Sequence, residues 1–446
     1  MKAKRFISFM ICILLILSTF AFSLAEASDI AQWGEQVKAN SGGKTIVVAM
    51  ASHPSTDAFR TMVGEFTELT GIEVIWDIVE ETNLKNKQLL DVQGSGSYDV
   101  MMVDAFWMSE YASKNVLLPI KDFAEREDTP EWFVYEDIMP AYRNGIAGAE
   151  GVNYGIPTAG ETRFIAYRTD LFEKYGKEPP KNMAEFLELA QFFNGKEDGL
   201  YGVSMRAQRG IHFASGWMSL MYNFGGGFLD QSTIGSDNVV VTCNTPETKE
   251  SLQFFVDLLK CAPPDVGTYT HEEALGAFVS GKTAMWLDAT ALANQITNKE
   301  TSTVADKVAF VPTPTGPAGD GAALAGWNLA ISSKSKNPDE AWAFICFMAS
   351  KEKSVDYIKA GGVGTRASVF QNDELASLNP SYEAQKAALE VANGLVEKGL
   401  SWIPQHDQIN QILEIAGAYG SDALAGNISV EDACNKMQLD VEDLIK

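Results

Sequence analysis

The stretch GKTAMWLDAT, residues 281–290, ends an apolar run on an indole and a carboxylate and then passes into small residues suited to a helix start. Side chains alternate along a strand, so Ala284, Trp286 and Asp288 share one side and Thr283, Met285 and Leu287 the other. Trp286 thus points the same way as Asp288 but about 7 Å behind it, where it can wall a cleft as readily as touch a ligand. Asp288, at the strand's end, can cap the next helix and still offer an oxygen to a hydroxyl.

Other segment ends carry the same residue types. Asp104, Phe106 and Trp107 end YDVMMVDAFW, Glu161 lies between two short β-like runs, and Arg206 ends YGVSMR. Trp327 and Asn328 open WNLAISS, and Arg366 sits in GGVGTR. A neutral polyhydroxy ligand calls for this set: aromatic faces cover its C–H surface, and Asp, Glu, Asn and Arg present two-pronged partners to neighbouring hydroxyls. The candidate binding residues are therefore Asp104, Trp107, Glu161, Arg206, Trp286, Asp288, Trp327, Asn328 and Arg366. Plainer roles compete with this one. Asp104 and Asp288 both precede helix-like segments and could be caps, while Arg206 and Arg366 could pair with the surplus carboxylates. His53, before Pro54, reads as a loop residue.

A catalytic constellation is not expected. GSGS (94–97) and GGG (225–227) lack the strand-before, helix-after context of a phosphate-binding loop, and neither G-x-x-x-x-G-K-[ST], G-x-S-x-G nor H-E-x-x-H occurs. The cysteines and four histidines show no C-x-x-C or H-x-x-x-H spacing, so neither a metal nor a cofactor is expected. Carboxylates are too abundant for a glycosidase pair to stand out.

These residues need elements to hold them. KTIVVAM (44–50), IEVIWDIVE (72–80) and YDVMMVDA (98–105) read as strands, with helices over SHPSTDAFRTMVGEFTELTG and TNLKNKQLLDVQ between them. The first helix takes Ser55 or Thr56 as its cap and Gly71 as its stop. After a Pro-punctuated stretch (119–157) a second alternation follows. It has strands in NYGIP, TRFIAYRTD, YGVSMR, NVVVTC and TAMWLD, and helices in NMAEFLELAQFF, GIHFASGWMSLMYNFGG, PETKESLQFFVDLLKC and HEEALGAFVSG. VAFVPTP and WNLAISS add β character, and the chain from Asn337 onward reads as helical. The fold class is α/β: two lobes with crossover connections and a helical C-terminal part, ligands binding beyond the strands' carboxyl ends. The expected division is 28–160 plus 306–360 for lobe 1 and 161–305 plus 361–446 for lobe 2, with hinges near 158–162 and 300–310.

The N-terminus sets the compartment. Lys2, Lys4 and Arg5 precede the apolar run FISFMICILLILSTFAF, and Ala25-Glu26-Ala27 offers a cleavage site, so residues 1–27 read as a signal peptide. Cys12 lacks the context of a lipoprotein signal, so an exported, periplasmic protein without a lipid anchor is expected. The formal net charge of −24 repels nucleic acid and anionic lipid. Cys243 and Cys261 flank a helix that separates them by about 20 Å, beyond disulfide reach, so buried free thiols are expected.

Several blocks carry a family likeness. AFVSGKTAMWLDAT resembles the F-x-x-G-K-x-A-M signature of bacterial ABC-transporter extracellular solute-binding proteins of the sugar-binding class. NYGIPTAGETRFIAYRTDLFEKYGKEPPKNMAEFLELA, NLAISSKSKNPDEAWAFICFMAS and GGVGTRASVF are similar to further motifs of that family, in order over about residues 44–370. AMWLDAT itself resembles its polyol and monosaccharide binders, while Gln208-Arg209-Gly210 departs from the glycine- and tryptophan-rich stretch associated with them. The resemblance implies a bilobal type II periplasmic-binding-protein fold closing on a carbohydrate, acting as a monomer and delivering its ligand to the permease of an ABC transporter. Two rivals remain: binding of a sugar acid or other anion, to which Arg163, Arg206 and Arg366 would contribute, and an exported carbohydrate-active enzyme.

Overall fold

The run Thr45–Ala51 forms strand β1, buried from Val48 onward, as a strand covered on both faces must be. In the computed structural model, which describes residues 29–321, 323–378, 380–397 and 399–446, β1 lies inside a five-stranded sheet. Its companions are β2 (Glu73–Val79), β3 (Val100–Asp104), β6 (Gly155–Glu161) and β11 (Ala325–Ile331), in the order β2-β1-β3-β11-β6. A two-stranded hairpin, β4 (Gly148–Ala149) with β5 (Val152–Asn153), precedes β6. The second sheet, in the order β10-β7-β9-β8, consists of β7 (Arg163–Arg168), β8 (Tyr201–Ser204), β9 (Thr283–Ala289) and β10 (Val308–Pro312). The expected signal peptide falls outside the described residues.

In the first lobe β1 runs parallel to both β2 and β3, each reached through a helix, while β11 is antiparallel to β3 and β6. Helix Pro54–Thr70 turns Ala58, Phe59, Met62 and Phe66 inward, and Phe66 packs on Phe344 and Phe347 of helix Pro338–Met348. Its cap is His53 and not Ser55 or Thr56: Pro54 takes the first helical position, and His53 Nδ1 accepts the Ser55 N–H at 3.1 Å. Gly71, at φ 68°, ends the helix in the left-handed conformation.

The chain passes between the sheets at Thr162, the single residue separating β6 from β7, and again over 313–324. This second crossing falls later than expected: β10 pairs antiparallel with β7, Phe310 opposite Ala166, which puts 308–312 in the second lobe. Residues 361–370, in contrast, lie with the first. Thr365 Oγ1 donates to Pro157 O at 2.9 Å, and Thr365 O accepts the Met139 N–H at 2.9 Å. NVVVTC joins neither sheet and pairs only through one bridge, Val241 with Leu229.

The last two helices belong to the second lobe. Ile409–Leu424 lies against Ile211–Met221, an approach that Gly417 permits, since a Cβ there would stand 1.8 Å from Gly210 O. Val430–Leu444 packs on Pro246–Leu259. All four described cysteines are buried and unpaired. Among the described residues no helix is long and apolar enough to cross a membrane.

Gly326, at the head of β11, has φ +148°, and a Cβ there would stand 2.0 Å from Ala159 O of the paired strand. Gly326→Ala should therefore cost about 2 kcal/mol or more of unfolding free energy, read as a lower urea midpoint.

Candidate functional site

The carboxyl ends of β1, β3, β8 and β9 open on one cavity of about 670 Å³ between the lobes. From the first lobe come His53 after β1, Glu81 after β2, Asp104 and Trp107 at the end of β3, Glu161 ending β6 and Trp327 in β11. The second supplies Arg163 starting β7, Arg206 after β8, His212 and Ser215 in helix Ile211–Met221, and His271 at the start of helix His271–Val279.

One wall is aromatic. The Trp107 and Trp327 rings meet edge to face at 5.4 Å, and the His53 ring lies 5.6 Å from Trp327. Both indoles are nearly buried, 6% and 3% exposed, so their orientation is fixed by packing before any ligand arrives. His53 Nε2 also stands 3.3 Å from Glu161 Oε1.

Charge dominates the opposite side. Asp288 is buried beneath Arg206, whose Nε and Nη2 lie 2.9 and 2.5 Å from its two oxygens in a two-pronged pair. Arg163 Nη1 stands 3.2 Å from the same carboxylate, and the Ala289 N–H donates to it at 2.7 Å. Burial alone would raise the Asp288 carboxyl; the two guanidinium groups overcome this and hold it well below the usual carboxylate range. Glu161 follows the same pattern, burial being outweighed by His53, Arg163 and Arg206.

Asp104 and Glu81 behave oppositely. Burial pushes Asp104 well above the ordinary carboxylate value, the nearby Glu81 adds to it, and the Phe106 N–H, 2.7 Å from Oδ1, offsets only part. Burial likewise raises Glu81 against the pull of Arg206. His212 and His271, with ring centroids 6.3 Å apart, are pushed down to about 4 by burial and then by Arg206, so both are neutral imidazoles at neutral pH.

Of the nine residues expected at the site, Asp104, Trp107, Glu161, Arg206 and Trp327 line the cavity. The other four do not. Asp288 is buried behind the lining and turns both oxygens to Arg206; the following 3₁₀ turn is preceded by Ala289, so Asp288 is not its cap either. Trp286 shares that strand face but lies behind it, fully buried against Phe164 and Phe278. Asn328 faces away from Trp327 and donates to Ile146 O at 2.9 Å, as strand alternation requires. Arg366 clamps lobe 1 internally, donating to Ala349 O and Val134 O at 2.9 and 2.6 Å. The cavity adds His53, Glu81, His212 and His271, and Arg163, which the sequence suggested only as an anion partner. Glu81 follows a strand end as Asp104 does, a signal that could have found it; the histidines of the second lobe carry none.

Known proteins resemble this chain in sequence and fold. The model of the family "Bacterial extracellular solute-binding protein" matches residues 51–354. The mannitol-binding protein of Pseudomonas aeruginosa is 27% identical over 75% of this chain and 77% of that protein. The erythritol/L-threitol-binding protein of Mycolicibacterium smegmatis is 26% identical over 74% of this chain and 72% of that protein. Among solved structures, an ABC-transporter solute-binding protein of Agrobacterium vitis with bound D-mannitol superposes with a TM-score of 0.78 at 28% identity, covering 90% of this chain and 98% of that one. A solute-binding protein of Agrobacterium radiobacter in complex with ribitol gives a TM-score of 0.82 at 23% identity, covering 91% and 99%, a likeness of fold.

Asp288→Ala should destabilise the protein by about 3–5 kcal/mol, because two largely buried guanidinium groups lose their carboxylate. The acid limb gives a second reading. A carboxyl depressed by folding stabilises fully above its unfolded value of about 3.9, and that contribution is lost as pH falls through the lower folded value. Wild type should therefore lose stability relative to Asp288→Asn below about pH 4, in urea titrations across pH.

Proposed function

Because the chain belongs to the bacterial extracellular solute-binding proteins, we propose that it captures an uncharged polyol or monosaccharide between its lobes and hands it to the permease of an ABC transporter. The observation that carries the ligand class is the pairing of an aromatic wall with two arginines whose charges are met by Asp288 and Glu161 together. The carbon skeleton lies against Trp107 and Trp327, where C–H groups meet the ring faces. Arg206 keeps donors on the side turned from Asp288, and Glu161, Asp104 and Glu81 supply acceptors or, when protonated, donors.

The relatives named for mannitol and for erythritol and L-threitol, and the D-mannitol complex, support this class. A sugar acid is disfavoured by the same charge pattern. Its carboxylate would face Glu161, whose carboxyl is held low, and would find the two arginine charges already matched by Asp288 and Glu161. The mechanism is capture without turnover: water leaves the hydroxyls as the lobes close about the Thr162 and 313–324 crossings, and binding energy holds the closed form. The chain acts as an exported monomer, and both lobes' rims meet the permease.

Calorimetry with D-mannitol, ribitol and erythritol tests this reading. At least one should bind one to one and be recovered unchanged. Trp327→Ala and Asp104→Ala should each weaken that ligand by about 1–3 kcal/mol, through lost stacking or an unpaired hydroxyl. Wild-type affinity in both variants would remove the cleft as the binding site.

A further inference from the structure

The turn that follows β3 is held from two sides. Its front carries Asp104 and Trp107 into the cavity. Behind it lie Trp402, Gln405 and Asn410, none of which lines that cavity. Asn410 Nδ2 donates to Phe106 O at 2.9 Å, Gln405 Oε1 accepts from Ser109 Oγ at 3.3 Å, and the Trp402 ring meets Phe106 edge to face at 5.4 Å.

Trp402 itself is fastened to the second lobe. Its Nε1 donates to Met218 O and its carbonyl accepts from Tyr222 Oη, both at 2.9 Å. The preceding Ser401 exchanges two 2.7 Å hydrogen bonds with the Gln231 side chain. Asn410 rides on helix Ile409–Leu424, which packs on helix Ile211–Met221 of the same lobe. The Arg163 guanidinium lies over this indole, 5.5 Å from the ring centre. Beyond it lies a separate hollow of about 770 Å³, lined by Tyr222 and Trp402.

We propose that Trp402 is a positioning residue for lobe closure: carried by the second lobe, it grips the β3 turn of the first from behind and holds that turn and Arg163 in ligand-binding geometry without touching the ligand. The inference rests on capture by closure, as proposed above. Its physical content is a contact between lobes made from a third crossing, between Phe370 and Ile409, which neither the Thr162 nor the 313–324 crossing supplies. Because the gripped turn is the one presenting Asp104 and Trp107, closure also locks the preformed ligand wall against the second lobe's polar groups. A ring at this position does two jobs, edge contact with Phe106 and cation–π support of Arg163, and a smaller side chain does neither.

The test places spin labels at the exposed Glu68 and Glu188, one on each lobe, and measures their distance distribution with and without D-mannitol. Wild type should narrow to a single population on adding D-mannitol. Trp402→Ala should broaden the distribution even without ligand, and should weaken D-mannitol roughly tenfold, mostly through faster dissociation. Trp402→Phe, which keeps a ring, should retain most of the affinity. Asn410→Ala should shift both readings the same way by less, and it decides the matter if Trp402→Ala does not fold. A folded Trp402→Ala protein with the wild-type ligand-free distribution and wild-type dissociation rate would overturn the proposal. If wild type ignores D-mannitol, D-mannitol is not the ligand, and the ligand-free distributions still decide the role of Trp402.

Discussion

One buried carboxylate organises the second lobe's half of the cleft. Asp288 sits at the end of β9 with Arg206 locked to it through two hydrogen bonds and Arg163 at 3.2 Å. Taking three charges out of water costs several kcal/mol for each ion, and only close, well-directed pairing repays it. Asp288 thus fixes both arginines where strands β7, β8 and β9 converge, with Arg206 and Arg163 facing the cavity in set orientations. The same pairing decides what the cleft can hold. With Asp288 beneath and Glu161 across the gap matching the two arginine charges, the cavity offers hydrogen bonds with little net positive field. On the proposed reading, hydroxyl groups suit that environment better than a carboxylate.

The two lobes divide the labour accordingly. The first supplies a preset apolar wall, since Trp107 and Trp327 are fixed against each other and against His53. The second supplies directional polar groups. The wall's residues come from β1, β3 and β11, neighbours in one sheet. The polar groups come from β7, β8 and two helix starts of the second lobe. On the proposed closure, two preformed half-sites would meet, which keeps the ordering cost of binding low.

Much of this was legible in the sequence, because strand ends in an α/β lobe are where ligands meet protein. Asp104, Trp107, Glu161, Arg206 and Trp327 were found on that rule, and all five line the cavity. What the rule misses is the choice of partner. Asp288 stands at the right strand end, yet its oxygens go to arginines that arrive from β7 and from beyond β8, over 80 residues away in the chain for Arg206. Local sequence records none of that. Trp286 fails for a geometric reason: a strand face continues into the core, and only its last residue reaches the cleft. Asn328 and Arg366 are polar side chains drawn to orphan backbone carbonyls inside lobe 1, a demand set by the packing of loops around Ile146, Val134 and Ala349. The lobe boundary at 306–312 was misplaced for a similar reason, since β character alone does not say which sheet a strand will join.

The central claim is that a cleft whose two arginine charges are matched by Asp288 beneath and Glu161 in the cavity selects an uncharged polyhydroxy ligand. Side-by-side calorimetric titration with whichever of D-mannitol, ribitol and erythritol binds and with the acid made by oxidising its terminal hydroxyl, at neutral pH and low salt, tests it most directly. The account predicts one-to-one binding of the polyol and no measurable binding of the acid. Tighter binding of the acid, weakening steeply with added salt, would contradict it.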